Sequence, residues 1–440
     1  MDAKSPSRRT FLGLAAGLPV GAALAACGTA GPQRADPNSA TYWYLTGQPG
    51  EGIRKQSVDR FNKANSNNQI VATAFQNDAY KTKVKTAIGA GKAPSMIWGW
   101  GGGTLRSYAK DGQVDDLTSW FAQHPEVKNK LLSSAFEAAT VDGKIYAMPC
   151  ETVSPIVLFY NKKIFDTVGV QPPQSWGDIM ALVPKFNAKG IAPFSLGGQS
   201  RWTNMMWLEF LFDRIGGPEV FRAIAAGHEG AWSDPAAIEA LTKVQDLVRA
   251  KGFIKGFSSI TADSNADQAL LYTGKAAMML HGTWTYGSMA QDGGDFVSSG
   301  GLGYMNFPTV EGGKGDPSTS VGNPGQYLSI SSKATAKQKE TVKKYFATGV
   351  LTDTEVKQWL AAGAMPITRD AGTLLGSAKD SGWLKFVYGI ASNASSFTQS
   401  WDQALSPTAA ETLLDNISKL FQLSITPKQF ATAMNAVIGQ

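Results

Sequence analysis

The chain has little with which to hold a fold together covalently or through metal. Among 440 residues only Cys27 and Cys150 are cysteines. Cys27 sits in an N-terminal processing pattern, so no disulfide framework is expected and Cys150 reads as a small buried thiol. Histidine is scarce too. His124, His228 and His281 lie far apart, without the spacing of a zinc set or the makings of a His-dependent triad. Neither a metal nor any other cofactor is expected, and no catalytic residue is assigned. The 41 basic residues are spread along the chain rather than clustered. That distribution argues against a nucleic-acid partner. No apolar run reaches the length of a transmembrane helix.

What is present begins with Ser7-Arg8-Arg9-Thr10-Phe11-Leu12, followed by a Gly/Ala-rich, weakly apolar run to Ala26. Paired arginines before Phe-Leu resemble a twin-arginine export signal. Leu24-Ala25-Ala26-Cys27 resembles a bacterial lipobox, in which the cysteine takes a diacylglyceryl group and becomes the mature N-terminus. Residues 1–26 are therefore expected to be removed. Their loss takes away three cations and one anion, lowering the formal charge from +6 to +4. Residues 27–40, poor in apolar side chains, read as a lipidated tether that anchors the protein to the outer face of the membrane.

A chain of this length exceeds one ordinary core, so two domains are expected. From Thr41 onward strand-like and helix-like stretches alternate. Strands are expected at 41–45, 70–75 and 95–98, with helices at about 53–65 and 78–90. Such alternation implies parallel pairing in an α/β layer architecture. Ligands then gather at loops beyond the strands' carboxyl ends, here 46–51, 76–80 and 99–103. Helix-forming stretches dominate 156–300, a strand is expected at 327–330, and the tail from 409 to 438 is helical with Pro427 interrupting.

Several segments together are similar to the extracellular solute-binding proteins of carbohydrate importers. They are Ala93-Pro94-Ser95-Met96-Ile97-Trp98 with Tyr108-Ala109 and Asp116-Leu117-Thr118, and Asp142-Gly143-Lys144-Ile145-Tyr146-Ala147-Met148-Pro149 with Phe159-Tyr160-Asn161-Lys162. Trp176, Gly190-Ile191-Ala192-Pro193-Phe194, Gly274-Lys275-Ala276-Ala277-Met278, Gly282-Thr283-Trp284 and Gly363-Ala364-Met365-Pro366 continue the match. Each piece is weak alone; order and spacing make the resemblance specific. It implies a two-lobed periplasmic-binding-protein-like α/β fold, each lobe a sheet flanked by helices and joined by a hinge. The first lobe would hold 41–150 with about 307–348, the second 151–306 with about 349–440. It further implies a monomeric, non-enzymatic receptor for a neutral di- or oligosaccharide, with ABC permease subunits and a cytoplasmic ATPase as partners.

A pyranose offers an apolar C–H face and a rim of hydroxyls, so its site wants flat aromatic rings and fixed polar groups. The chain has twelve tryptophans. Trp284 matches a family position that stacks on sugar. Trp100, among glycines past the third strand, and Trp202, in a second-lobe loop, join it as candidates. Trp98, Trp43, Trp120, Trp176 and Trp359 are read as packing residues. For the hydroxyl rim the candidates are Gln48, Glu51, Asn77, Asp78, Glu151, Asn323, Gln326 and Arg369, with helix capping the competing role for Asp78. Xylobiose or another β-linked fragment is the expected ligand. Two other readings stay open: a cell-surface glycoside hydrolase working through two carboxylates, and the same fold serving a non-sugar solute such as a polyamine or peptide.

Overall fold

The computed structural model describes residues 38–440. The export signal, the lipobox and Cys27 lie outside the described residues. Strand β1 (Ala40–Leu45) turns Ala40, Tyr42 and Tyr44 inward, the period-two pattern of a half-buried strand. Helix α1 (Gly50–Ala64) follows, burying Ile53, Ser57, Val58 and Phe61 along one face. Next come β2 (Ile70–Phe75), α2 (Asn77–Gly89), β3 (Met96–Gly99) and α3 (Gly102–Lys110). β1 pairs in parallel with both β2 and β3, as the alternation predicts. The chain then reaches β4 (Met148–Cys150) and passes through Glu151 into β5 (Thr152–Asn161), in a second sheet.

That second region contains α4 (Trp176–Asn187), β6 (Ala192–Phe194), α5 (Trp202–Gly216), α6 (Pro235–Arg249), β7 (Ala276–Gly282), β8 (Leu302–Met305) and β9 (Ser320–Asn323). Pro324-Gly325 leads back to β10 (Gln326–Ile330), which lies antiparallel between β3 and β4. The first sheet thus has five strands in the order β2-β1-β3-β10-β4. After α7 (Ala336–Thr348), α8 (Asp353–Ala361), β11 (Met365–Pro366) and α9 (Ser381–Asn393), the strand β12 (Phe397–Gln399) rejoins the second sheet. Helices α10 (Trp401–Ala404) and α11 (Pro407–Phe421) come next.

The second sheet has seven strands and is mixed. β5 runs antiparallel to β7, β8 and β9, whereas β6 lies parallel to β7. Uninterrupted parallel pairing of successive strands therefore describes β1, β2 and β3 only. There, single helices bridge successive strands; in the second half of the chain long helical excursions leave strand direction free. One hydrophobic core gathers around Tyr42, Phe61, Trp98 and Leu328, the other around Phe194, Trp207, Phe210 and Leu413.

The two hydrophobic cores divide the chain otherwise than the expected lobe ranges do. Residues 307–323 stay with the second lobe, where Phe307, Val310 and Val321 enter its core. The cause is Arg214, fully buried on α5. Its guanidinium donates to the carbonyls of Phe307, Asp316, Pro317 and Thr319, stapling that segment down. Conversely, α8 stays with the first lobe. Its Val356, Trp359 and Leu360 join the first core, and Glu355 accepts a hydrogen bond from the Ser57 hydroxyl at 3.1 Å. Cys150 is a buried free thiol, as expected.

Candidate functional site

Between the two sheets lies a cavity of about 250 Å³ lined from both lobes. Its first-lobe wall is made by the carboxyl ends of parallel strands, with Gln48 after β1, Asn77 after β2 and Trp100 after β3. Its second-lobe wall carries Trp202, Asp263, His281, Thr283 and Trp284. The crossover segments supply Glu151, Asn323 and Gln326.

Glu151 is buried and occupies the left-handed region at φ 62°, where the chain turns from one sheet into the other. Its carboxylate accepts from Arg54 Nε at 2.8 Å and Nη2 at 2.7 Å, and from Trp98 Nε1 at 2.8 Å. The Arg54 guanidinium also lies 5.3 Å from the Trp98 ring centre and 5.8 Å from that of Trp359. Burial works against the guanidinium charge, but Glu151 outweighs it and holds Arg54 protonated. Two opposite charges thus neutralise each other in bidentate geometry.

A second ion pair spans the cleft. Lys81 Nζ, from α2, lies 2.7 Å from Asp402 Oδ2, in α10 of the other lobe. The same ammonium sits 4.9 Å from the Trp100 ring centre. Gln399 Nε2 donates to the Trp100 carbonyl at 2.7 Å, another tie between the lobes. Asp78 adds two more. Its Oδ1 accepts from Trp202 Nε1 at 3.2 Å, and its N–H donates to Asp263 Oδ2 at 3.0 Å. Asp78 is therefore neither a helix cap nor a lining residue, but a bridge just behind the cavity wall.

On the second lobe the indoles of Trp284 and Trp202 are 6.1 Å apart at a tilt of 51°, with the His281 ring 5.4 Å from each. His281 Nδ1 accepts from the Gly282 N–H at 2.9 Å, which in the neutral ring leaves the proton on Nε2, facing Asp267 Oδ2 at 3.3 Å. Trp284 remains 36% exposed although it lines a cavity. At the hinge, Gln326 Oε1 accepts from the Thr152 N–H at 3.1 Å. Asn323 Oδ1 is buried and finds no hydrogen-bond partner in the protein.

Eight of the eleven binding candidates line the cavity: Gln48, Asn77, Trp100, Glu151, Trp202, Trp284, Asn323 and Gln326. Asp78, Glu51 and Arg369 do not. The Glu51 carboxylate folds back onto the Gly47 N–H at 3.0 Å. Arg369 is exposed and its Nε donates to the Leu131 carbonyl at 2.9 Å, because pairing of β11 on β5 ends just before it and turns it outward. Trp98 and Trp359 pack as expected, yet both also face the cavity. Arg54, Lys81, Asp263, His281 and Asp402 escaped the sequence reading. Nothing in their local patterns marks them.

Residues 47–358 match the bacterial extracellular solute-binding protein family. The chain belongs to that family. Membership places this solute-binding protein outside the cytoplasm, and no helix among the described residues is long and apolar enough to cross a membrane. It is 31% identical, at a TM-score of 0.82, to a solved structure from work on xylan utilization by the thermophilic bacterium Caldanaerobius polysaccharolyticus, covering 91% of this chain and 100% of that one. A chitin oligosaccharide binding protein shares the fold at a TM-score of 0.81 and 24% identity, over 91% of this chain and 97% of its own. An uncharacterized ABC transporter extracellular-binding protein of Pyrococcus horikoshii is 25% identical over 256 residues, 56% of this solute-binding protein. The match spans about half the length of that relative, 55%.

Proposed function

We propose that this solute-binding protein captures a neutral di- or oligosaccharide between its lobes and delivers it to an ABC permease driven by a cytoplasmic ATPase. The observation that carries the proposal is an exposed indole, Trp284, inside a cavity where both lining cations, Arg54 and Lys81, are paired with carboxylates. A flat apolar ring with neutralised surroundings suits a sugar's C–H face and hydroxyl rim better than a charged solute. Xylobiose or a related β-linked fragment is the proposed ligand, in keeping with the relative from work on xylan utilization. Gln48, Asn77, Trp100, Glu151, Trp202, Trp284, Asn323 and Gln326 are the proposed contact residues. Lipidation at Cys27 would hold a monomer at the outer face of the membrane.

A hydrolase is the less favoured reading. Of the three carboxylates that line the cavity, Glu151 and Asp402 are engaged by cations, which leaves Asp263 alone where glycoside cleavage requires two. Calorimetry across xylo-, cello-, malto- and chito-oligosaccharides, with chromatography of the mixtures afterwards, tests the proposal. One-to-one binding of at least one series with intact ligand is expected. Turnover of any of them would move the protein to the enzyme reading, and silence across all four would remove the sugar.

A further inference from the structure

Gly282 ends β7, paired with Ile156 of β5, and stands two residues before the Trp284 ring. Its φ is not in the left-handed region, so its backbone conformation alone does not demand glycine. The demand is spatial. A methyl group at Gly282 would fall within the six-membered part of the Trp284 indole, which lies directly over this Cα. The Gly282 N–H meanwhile holds His281 Nδ1 at 2.9 Å, and the His281 ring stands at 76° to the indole. Thr283 N–H, donating to the Pro155 carbonyl at 2.9 Å, fixes the strand end itself.

We propose that Gly282 is a positioning residue for ligand recognition: its bare Cα is the seat on which Trp284 lies flat, presenting the opposite face to the cavity. The inference rests on Trp284 being the ligand platform. An alanine at this position displaces the ring rather than the strand, because the ring is the free end of a side chain and the strand is paired. The change removes no hydrogen bond and no cavity-lining polar group.

The test compares Gly282→Ala, Trp284→Ala and the double variant, using xylobiose as probe, with near-UV circular dichroism and thermal melting of each empty protein. The single Gly282→Ala variant is expected to bind at least tenfold more weakly and to show an altered indole spectrum. The double variant should bind no worse than Trp284→Ala and melt at the same temperature as it. Unchanged binding in Gly282→Ala beside weakened binding in Trp284→Ala would overturn the seat while leaving the platform standing. A melting loss in Gly282→Ala that persists once the indole is gone would overturn it too, since the methyl would then be striking backbone. Unchanged binding in Trp284→Ala would remove the platform, and the seat with it.

Discussion

Lys81 and Asp402 belong to different lobes, and their side chains meet at 2.7 Å beside the cavity. The lysine is about a quarter exposed and the aspartate nearly buried, so the pair is screened less than one on the surface. Because it can exist only when the lobes are together, its energy favours closure. Asp402→Asn should weaken binding of the preferred sugar by about tenfold, roughly 1.4 kcal/mol. The melting temperature of the empty protein should change less than that of the loaded one. Equal changes in both would show that the pair contributes to folding and not to closure.

Arg54 and Glu151 serve a different end. Their pair sits where the chain crosses between sheets, with both side chains nearly buried. Arg54→Met would leave Glu151 charged and unpaired apart from the Trp98 N–H. Removing one partner of a buried pair costs about 3–5 kcal/mol. The prediction is a loss of that order in urea unfolding of the empty protein, in contrast to Trp284→Ala, which should leave it nearly unchanged.

Glu209 is predicted to make stability depend on pH. It is fully buried on α5, accepts from the Trp401 N–H at 2.7 Å through one oxygen, and has no partner for the other. Burial pushes its pKa up from 4.5 to about 8. The folded state therefore holds this proton over a range where the unfolded chain has released it. Its contribution is fully favourable below about pH 4.5 and is lost as pH rises through about 8. Glu209→Gln keeps an oxygen for Trp401 without the charge. Its stability relative to the parent should rise by roughly 2–4 kcal/mol between pH 5 and pH 8. Denaturant melts of both proteins at the two pH values check this; parallel curves would contradict it.

The first lobe was legible because single helices link its strands, so the loops at the strand ends could be named before any coordinates. Gln48, Asn77 and Trp100 follow from that rule alone. Arg54 does not. It lies within the first turns of α1, indistinguishable in sequence from a solvated face, and matters only because the helix lays it over Trp98. Asp402 is hidden for a similar reason: it precedes the helical tail in a stretch with no pattern of its own, and only the return of β12 to the second sheet brings it to Lys81. The misplaced segment 307–323 shows the same limit, since its anchor, Arg214, sits about a hundred residues earlier inside an apolar helix. Side chains placed by their own strand end could be read; those delivered by distant packing could not.

A crystal structure with the tightest-binding oligosaccharide bears most directly on the whole account. A sugar ring lying parallel to the Trp284 indole, with hydroxyls within hydrogen-bond reach of groups from both lobes, is the predicted result. Ligand density elsewhere, with that indole facing solvent alone, would contradict it.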